Sequence, residues 1–552
     1  MVFGLFRKFI RKPPQRKPAS CNRSAKKQPE TDRRIYNTGE LKEKQVSSSL
    51  NINLEMLQSI LGQNSDIIFR RFNLGMTEET ELAVIYAEGI TDKTNLNNNI
   101  LNPLMLESHR RGFNPSKENI LYMIKNFAVT VSNVSEASNI NELVTATLEG
   151  NVILFINNQP TALILHNTGV KSRAISEPQT EILVRGPKEG FIENLTTNIS
   201  LIRRRLKSPN LIFEDLHIGR ITYTRVTITY IKGIASPDLV AEIKRRLGRI
   251  DIDGILESGY LEELIEDNTF SPFPQILHTE RPDRVAASLL EGRVSILTDG
   301  TPFALIAPAE FVSFMTSPED YYERYWLGTA IRWLRYIAMT MSLLLPSLYI
   351  AVTTFHQEMI PTRLLISIAA SRQGVPFPAL VEALAMEFTF EAIREAGIRL
   401  PRAIGQAVSI VGALVIGQAA VQAGIVSPLM IIVVAVTGMA SFVNPSYNMG
   451  ISLRLLRFPM MLLGGTLGLF GIMAGILCIF IHLAGLRSFG VPYLASLAPL
   501  HLGDLKDVLI RAPWWAMDKR PDETGKLNSR RQSRGLKPSV SNRTDKREDD
   551  QN

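Results

Sequence analysis

Cysteine is almost missing from this chain. Only Cys21 and Cys478 occur in 552 residues, which leaves no disulfide framework and fits a main soluble part on the reducing, cytoplasmic side of a membrane. Reaction motifs are missing too. There is no Gly-rich phosphate loop ending in Lys-Ser/Thr, no His-Glu-x-x-His and no Cys-x-x-Cys, and the seven histidines are scattered. The expectation is therefore no enzyme, no catalytic residue, no cofactor and no metal. His356-Gln-Glu358 offers one His and one Glu, which falls short of a coordination shell and reads as a pH-sensitive or hydrogen-bonding loop. A secretory signal is not expected, because Arg7 and Lys8 interrupt the short apolar start.

One half of the chain lacks charge instead. Before residue 330 charged residues recur every few positions; after it come the uncharged runs Tyr336 to Phe355, Ala403 to Leu453 and Phe458 to Leu486. A bilayer core about 30 Å thick takes roughly 20 apolar residues per helix, so the runs fit one span, two spans and one long or tilted span. The fold class expected is a duplicated α/β soluble N-terminal half joined to an all-α polytopic membrane half. The divisions are a basic disordered tail over 1–49, soluble lobes over 50–170 and 171–320, a membrane domain over 330–486, a juxtamembrane segment over 487–520 and a solvated, disordered tail over 521–552. Spans are placed near 333–355, 404–426, 429–443 and 458–486.

The formal charge of +8 sits largely in the first 49 residues, with thirteen Lys and Arg against four Asp and Glu. Such a stretch is drawn to anionic lipid headgroups. It lacks the interleaved aromatics that stack on bases, so no nucleic acid is expected.

The soluble half repeats itself at a spacing of 142 residues. Glu149-Gly-Asn-Val-Ile-Leu-Phe-Ile-Asn-Asn-Gln-Pro-Thr-Ala-Leu-Ile164 parallels Glu291-Gly-Arg-Val-Ser-Ile-Leu-Thr-Asp-Gly-Thr-Pro-Phe-Ala-Leu-Ile306. Each reads as a helix end and a β-hairpin, with Asn157-Asn158 and Asp299-Gly300 as turns that tolerate positive φ. Upstream, Val84 to Ile90 parallels Ile228 to Ile234, each a strand running into a glycine turn. Paired lobes hold a ligand in their cleft in many proteins, but no polar cluster here points to one, and duplication for size or for assembly contacts is the plainer account. Arg203-Arg204-Arg205 reads as a compact basic face, solvated or set against lipid or an acidic partner.

Arg324, Arg332 and Arg335 at the start of the first span place the N-terminal half in the cytoplasm by the positive-inside rule. The stretch from Ile360 to Arg402 carries Arg363, Arg372, Glu382, Glu387, Glu391, Arg394 and Glu395 and is broken by Gly374-Val-Pro-Phe-Pro378. Charges at membrane depth persist only against protein or water, so this stretch is re-entrant and cavity-lining, or an interfacial helix pair. Four spans return the C-terminus to the cytoplasm; five leave it outside. At 100° per residue Val408, Val411, Val415 and Gln422 share one helical stripe beside Gly405, Ser409 and Gly412. A narrow valine stripe is what a dewetting gate needs, and close helix packing accounts for the same residues. Gly464-x-x-x-Gly468 and Gly471-x-x-x-Gly475 permit close helix approach.

From Gly39 to Pro521 the chain resembles the A subunits of spore germinant receptors, the GerA type. The resemblance is densest in Ser176-Glu-Pro-Gln-Thr-Glu181, Arg185-Gly-Pro-Lys-Glu-Gly-Phe191, Ser271-Pro-Phe-Pro-Gln275, Thr279-Glu-Arg-Pro-Asp-Arg-Val285, Ser317-Pro-Glu-Asp-Tyr-Tyr-Glu323, Phe355-His-Gln-Glu-Met-Ile-Pro361, Gly374-Val-Pro-Phe-Pro378, Arg394-Glu-Ala-Gly-Ile-Arg-Leu-Pro401, Gly405-Gln-Ala-Val-Ser-Ile-Val411 and Arg511-Ala-Pro-Trp-Trp515. It implies a nutrient receptor subunit in the spore inner membrane beside a transporter-like B subunit and a lipoprotein C subunit. Small germinants would trigger ion release, with the A subunit forming a homo-oligomeric conducting assembly and recognition resting largely with B. A secondary transporter holding substrate at the broken segment and a non-conducting receptor scaffold are the competing readings.

Overall fold

The computed structural model describes residues 44–74, 80–107, 120–125, 129, 131, 133–169, 177–399, 417–501, 503–525, 527–533 and 535–538. All of them belong to one unit, Tyr36–Asn552.

Two five-stranded antiparallel sheets make up the N-terminal half. Strands β1 (Ile67–Asn73), β2 (Glu81–Ala87), β3 (Val134–Ala137), β4 (Val152–Ile156) and β5 (Ala162–Leu165) lie in the order β1-β2-β4-β5-β3. Strands β6 (Leu211–Ile218), β7 (Thr224–Ile231), β8 (Leu277–Thr279), β9 (Val294–Thr298) and β10 (Ala304–Ala307) repeat that order as β6-β7-β9-β10-β8. The matched segments of sequence form the hairpins β4–β5 and β9–β10. Their strands are buried along their whole length, because both faces of each sheet carry helices and an unbroken apolar run is what such a strand needs. The turns use Asn158 at φ 65° and Gly300 at φ 88°, and the upstream strands end at Gly89 and Gly233, at φ 88° and 85°.

Helices α1 (Leu50–Leu61) and α2 (Ile140–Leu148) cover one face of the first sheet, with Leu54, Leu57, Leu143 and Val144 in the shared core. Helices α3 (Leu195–Arg205), α4 (Pro237–Leu247), α5 (Ser258–Ile265) and α6 (Pro282–Leu290) sandwich the second, α3 and α6 on one face, α4 and α5 on the other. Their starts follow local chemistry. The Asn139 and Asn194 side chains accept from the backbone N–H groups of Asn141 and Thr197, and Pro occupies the first position of α4 and α6.

The three-arginine run differs from its expected role as a solvated face. Arg203 is fully buried and joins the lobes: Nε and Nη2 donate to the two Asp66 oxygens at 3.0 and 2.8 Å, Nη2 also to Asn64 Oδ1 at 3.2 Å, and Nη1 to the Ser208 and Leu211 carbonyls at 3.3 and 3.2 Å. The guanidinium also lies 4.7 Å from the centre of the Phe213 ring. Three consecutive helical residues face three directions, so one of them turned to the core. Arg204 and Arg205 remain nearer the surface beside Glu189.

The C-terminal half is helical: α7 (Tyr325–Thr354), α8 (Thr362–Arg372), α9 (Ala379–Arg399), α10 (Gly417–Gln422), α11 (Pro428–Phe442) and α12 (Tyr447–Gly485). Among the described residues α7 and α12 are the two helices long and apolar enough to cross a membrane. The break expected at Gly374 to Pro378 separates α8 from α9.

The last run is not one straight helix. Gly468 takes φ 64°, ψ −144° inside α12, and the helix folds back on itself there. A side chain on Gly475 would meet Met460 Sδ at 2.5 Å, fifteen positions earlier, and one on Gly471 would strike the Leu463 carbonyl. Both ends of α12 consequently reach the same segment of the second lobe. Asn448 Nδ2 is 3.2 Å from His278 Nδ1, and His482 Nε2 is 2.8 Å from Ser271 Oγ. The arms 447–467 and 469–485 measure roughly 31 and 25 Å at 1.5 Å per residue. The helical half therefore starts and ends on the lobe side. The glycine pattern was legible as a packing device, but the backbone reversal needs a conformation essentially restricted to glycine. Gly468→Ala is expected to lower thermal stability in detergent by about 1–3 kcal/mol, compounded by a contact of 2.8 Å with His356 Cε1. Gly485→Ala, with nothing within 4 Å, should leave it unchanged.

No gap separates the second lobe from the helices. Its core cluster takes in Met449, Leu453, Leu483, Leu486 and Tyr493 beside Phe213, Leu289 and Phe314. The C-terminal stretch then returns over the lobe rather than remaining solvated. Arg520 Nε donates to the Leu290 carbonyl at 2.7 Å, Arg531 Nη2 to Glu291 at 2.7 Å, and Thr524 is buried.

Candidate functional site

Two charged clusters stand out, one within the helical half and one at its foot. In the first, α9 lies antiparallel to the first arm of α12. A side chain at Gly465 would touch Leu380, Glu387 pairs with Arg457, and Glu391 pairs with Arg454 at 3.8 Å. The carboxylates are four residues apart on one helix and the arginines three apart on the other, so each pair falls on one face. Arg457 and Glu387 are both about 1% exposed in their side chains. Arg457 also donates to the Ser342 carbonyl at 2.8 Å and to Ser342 Oγ at 3.1 Å, which ties in α7. Glu382 Oε1 accepts from the backbone N–H and hydroxyl of Ser427 at 2.6 Å each, holding the start of α11, and Arg372 Nε stands 3.9 Å from its other oxygen. Arg457 lies ten residues into its arm, or roughly 15 Å along it, near the middle of the bundle.

Apolar side chains cover the outside of the same helices. Trp333, Leu334, Phe388, Met439, Phe470, Met473 and Leu477 are all more than half exposed. Charges inside and large apolar groups outside is the reverse of a water-soluble bundle and the arrangement that hydrocarbon demands. Reading the last run as starting at Phe458 put Arg454 and Arg457 at its border. The structure sets them inside the bundle, and their spacing against Glu387 and Glu391 was the signal available.

At the foot of α7, Asp320 receives Arg335 Nη1 at 2.6 Å and lies 3.5 Å from Arg332. Arg332 also pairs with Asp507 at 3.1 Å, and the Tyr321 hydroxyl donates to Asp507 at 2.8 Å. Arg511 Nη2 and Trp514 Nε1 donate to the Tyr321 carbonyl at 3.1 and 3.3 Å. Burial drives the Tyr321 phenol well above its ordinary value, the Asp507 charge adding to it, and burial raises Asp507 despite Arg332 beside it. Two arginines of the expected positive-inside signal are thus spent inside the protein. Segments far apart in the chain, Ser317 to Glu323 and Arg511 to Trp515, meet at this joint. A similar meeting joins Glu181 to Arg284, with Arg281 Nη2 reaching the Pro187 carbonyl at 2.7 Å.

Of the stripe residues, Val408, Val411 and Val415 lie outside the described residues. Gln422 ends the short helix α10 and is exposed. The loop 356–358 does form hydrogen bonds: Gln357 Nε2 donates to the Thr353 carbonyl at 3.0 Å and His356 Nδ1 lies 3.4 Å from the Ala351 carbonyl. Among the described residues no group of three His, Cys, Asp or Glu side chains could hold a metal ion.

Sheet lobes whose core runs on into an apolar, internally charged helix bundle point to a membrane-associated protein. Residues 55–523 match the family described as Bacillus/Clostridium GerA spore germination protein, and the chain belongs to that family. It is 48% identical over 493 residues to spore germination protein KA of Bacillus subtilis (strain 168), covering 89% of this chain and 90% of that one. It is 40% identical over 469 residues to spore germination protein GerLA of Bacillus cereus, covering 85% and 94%. The crystal structure of the N-terminal domain of the A subunit of the Bacillus megaterium spore germinant receptor GerK3 aligns with 49% of this chain and 98% of its own, at 40% identity and a TM-score of 0.39.

Proposed function

We propose that this chain is the A subunit of a spore nutrient germinant receptor in the spore inner membrane, a multi-pass protein with its sheet lobes in the cytoplasm. It responds to small-molecule germinants beside a transporter-like B subunit and a lipoprotein C subunit, with its basic N-terminal tail against anionic lipid. As a homo-oligomer it conducts the ions released at germination. The observation that carries this reading is the carboxylate–arginine contact of α9 with α12, sealed inside helices whose outer surfaces are apolar. Such a contact gives a bundle two discrete arrangements, paired and unpaired, and a germinant shifts the balance only through different affinity for the two. Relatives over nearly the whole length carry the germination role.

The test is ion flux from proteoliposomes holding the purified chain, wild type against Val408→Ala and Val411→Ala at matched incorporation. A wider, wetter constriction should raise flux in at least one variant. Equal flux in all three would remove the valine stripe as the gate. Stoichiometric solute uptake would mark a transporter, and no transport of any kind would mark a scaffold or a channel assembled only with its partners.

A further inference from the structure

A cleft of about 260 Å³ opens between the second lobe, the foot of α7 and the C-terminal stretch. Glu310 lines it from the lobe, Tyr321 from the short segment before α7, and Asp504 and Asp522 from the returning chain. Glu310 is 5% exposed. Among the described residues its carboxylate has no hydrogen bond and no ion pair, and although it precedes the short helix Phe311–Met315 it does not cap it.

A buried carboxylate without a partner is unfavourable in ionised form, so its surroundings decide what relieves it. The one cation acting strongly on it is Arg293, which is already engaged: Nη1 donates to Ser313 Oγ at 2.5 Å and to the Pro308 carbonyl at 3.3 Å, and Nε stands 3.8 Å from Glu291. Burial above all, with Glu291, Asp504 and Glu523 set against that single charge, pushes the Glu310 carboxyl up. Six acidic side chains line the cleft against four basic ones, Arg293, Lys506, Lys519 and Arg531, which leaves negative charge in excess around Glu310. Val312, Val508 and Met517 give the same cleft an apolar wall.

We propose that this cleft binds the ammonium group of a small primary amine, the nitrogen set on Glu310 and the short apolar body against Val312 and Val508. A divalent metal is not the match, since the described residues bring no three ligating side chains together. Three parts of the molecule wall the cleft, so an occupant ties the C-terminal stretch to the second lobe beside the Arg332–Asp507 contact. The assignment does not rest on ion conduction.

The experiment is isothermal titration of the full chain in detergent with n-propylammonium chloride, with 1-propanol as the uncharged match and potassium chloride as the inorganic cation. Propylammonium should bind, 1-propanol should not, and Glu310→Gln should weaken binding at least about tenfold, which is 1.4 kcal/mol. Asp504→Asn should weaken it by a smaller factor, and it serves as the second variant if Glu310→Gln lowers the melting temperature. Equal affinity in wild type and in both variants would overturn the assignment, as would no heat from wild type up to about 100 mM, the edge of measurable affinity. Full displacement of propylammonium by equimolar potassium would overturn the ammonium class in favour of a monovalent metal cation.

Discussion

Arg457→Met is expected to strip about 3–5 kcal/mol from the stability of the helical half, because it leaves Glu387 buried and uncompensated. The arginine side chain is 1% exposed and so is the carboxylate it pairs with, so neither water nor headgroups can replace the lost partner. The Ser342 carbonyl and hydroxyl lose their donor at the same time. The double variant Arg457→Met with Glu387→Leu should recover most of the loss, since an apolar pair of similar volume removes the desolvation cost from both sides. Melting of the four proteins of this cycle in one detergent measures the coupling. Equal losses in the single and double variants would mean that packing volume, not charge pairing, sets the cost. In the same double variant the proposed two-state contact is gone, so a flux that no longer responds to partners would join stability to gating.

The second large effect lies between the sheet lobes. Arg203→Met should cost about 3–5 kcal/mol as well, because Asp66 is left without its bidentate partner and the Asn64, Ser208 and Leu211 oxygens each lose a donor. Every N–H of this guanidinium has an acceptor, the condition under which a buried arginine is worth keeping. Arg204→Met, a half-exposed neighbour beside Glu189 at 3.7 Å, should cost less than about 0.5 kcal/mol. Hydrogen exchange of the amides just before β1 and at the start of β6 would separate loosening between the lobes from global unfolding. Faster exchange confined to residues 64–66 and 211–213 supports the joint; uniform acceleration counts against it.

The sequence made the sheets legible and the joints only in part. The two hairpins and their turns could be read because a strand buried on both faces leaves an unbroken apolar run and a turn at positive φ leaves Asn or Gly. The strand order could not, since pairing between β2 and β4 or β7 and β9 is decided by contacts far apart in the chain. Arg203 and Arg457 show the limit more sharply. Each sat in a run that reads equally as surface charge, and its role depends on a partner 137 positions away in one case and 70 in the other. The positive-inside reading of Arg332 and Arg335 shows the same limit, for the rule counts charges and cannot tell a headgroup from Asp320. Gly468 was visible as a packing glycine, whereas its reversal depends on the arms finding Met460 and Leu463 after they fold.

The shared core of the second lobe and α12 also fixes an order of events at the ribosome. The face formed by Phe213, Leu289 and Phe314 stays open until Met449, Leu483 and Tyr493 have been made. Synthesis at about 5–20 residues per second puts roughly 10–40 s between residue 315 and residue 493. During that interval the first lobe, whose core closes with residue 165, is already finished. The second lobe waits with an apolar face uncovered, and it is sealed only when the helices of the C-terminal half reach it. On the membrane topology proposed above, insertion of α12 is the step that completes a domain lying outside the bilayer, so a chain that fails to insert carries its own exposed mark for proteolysis.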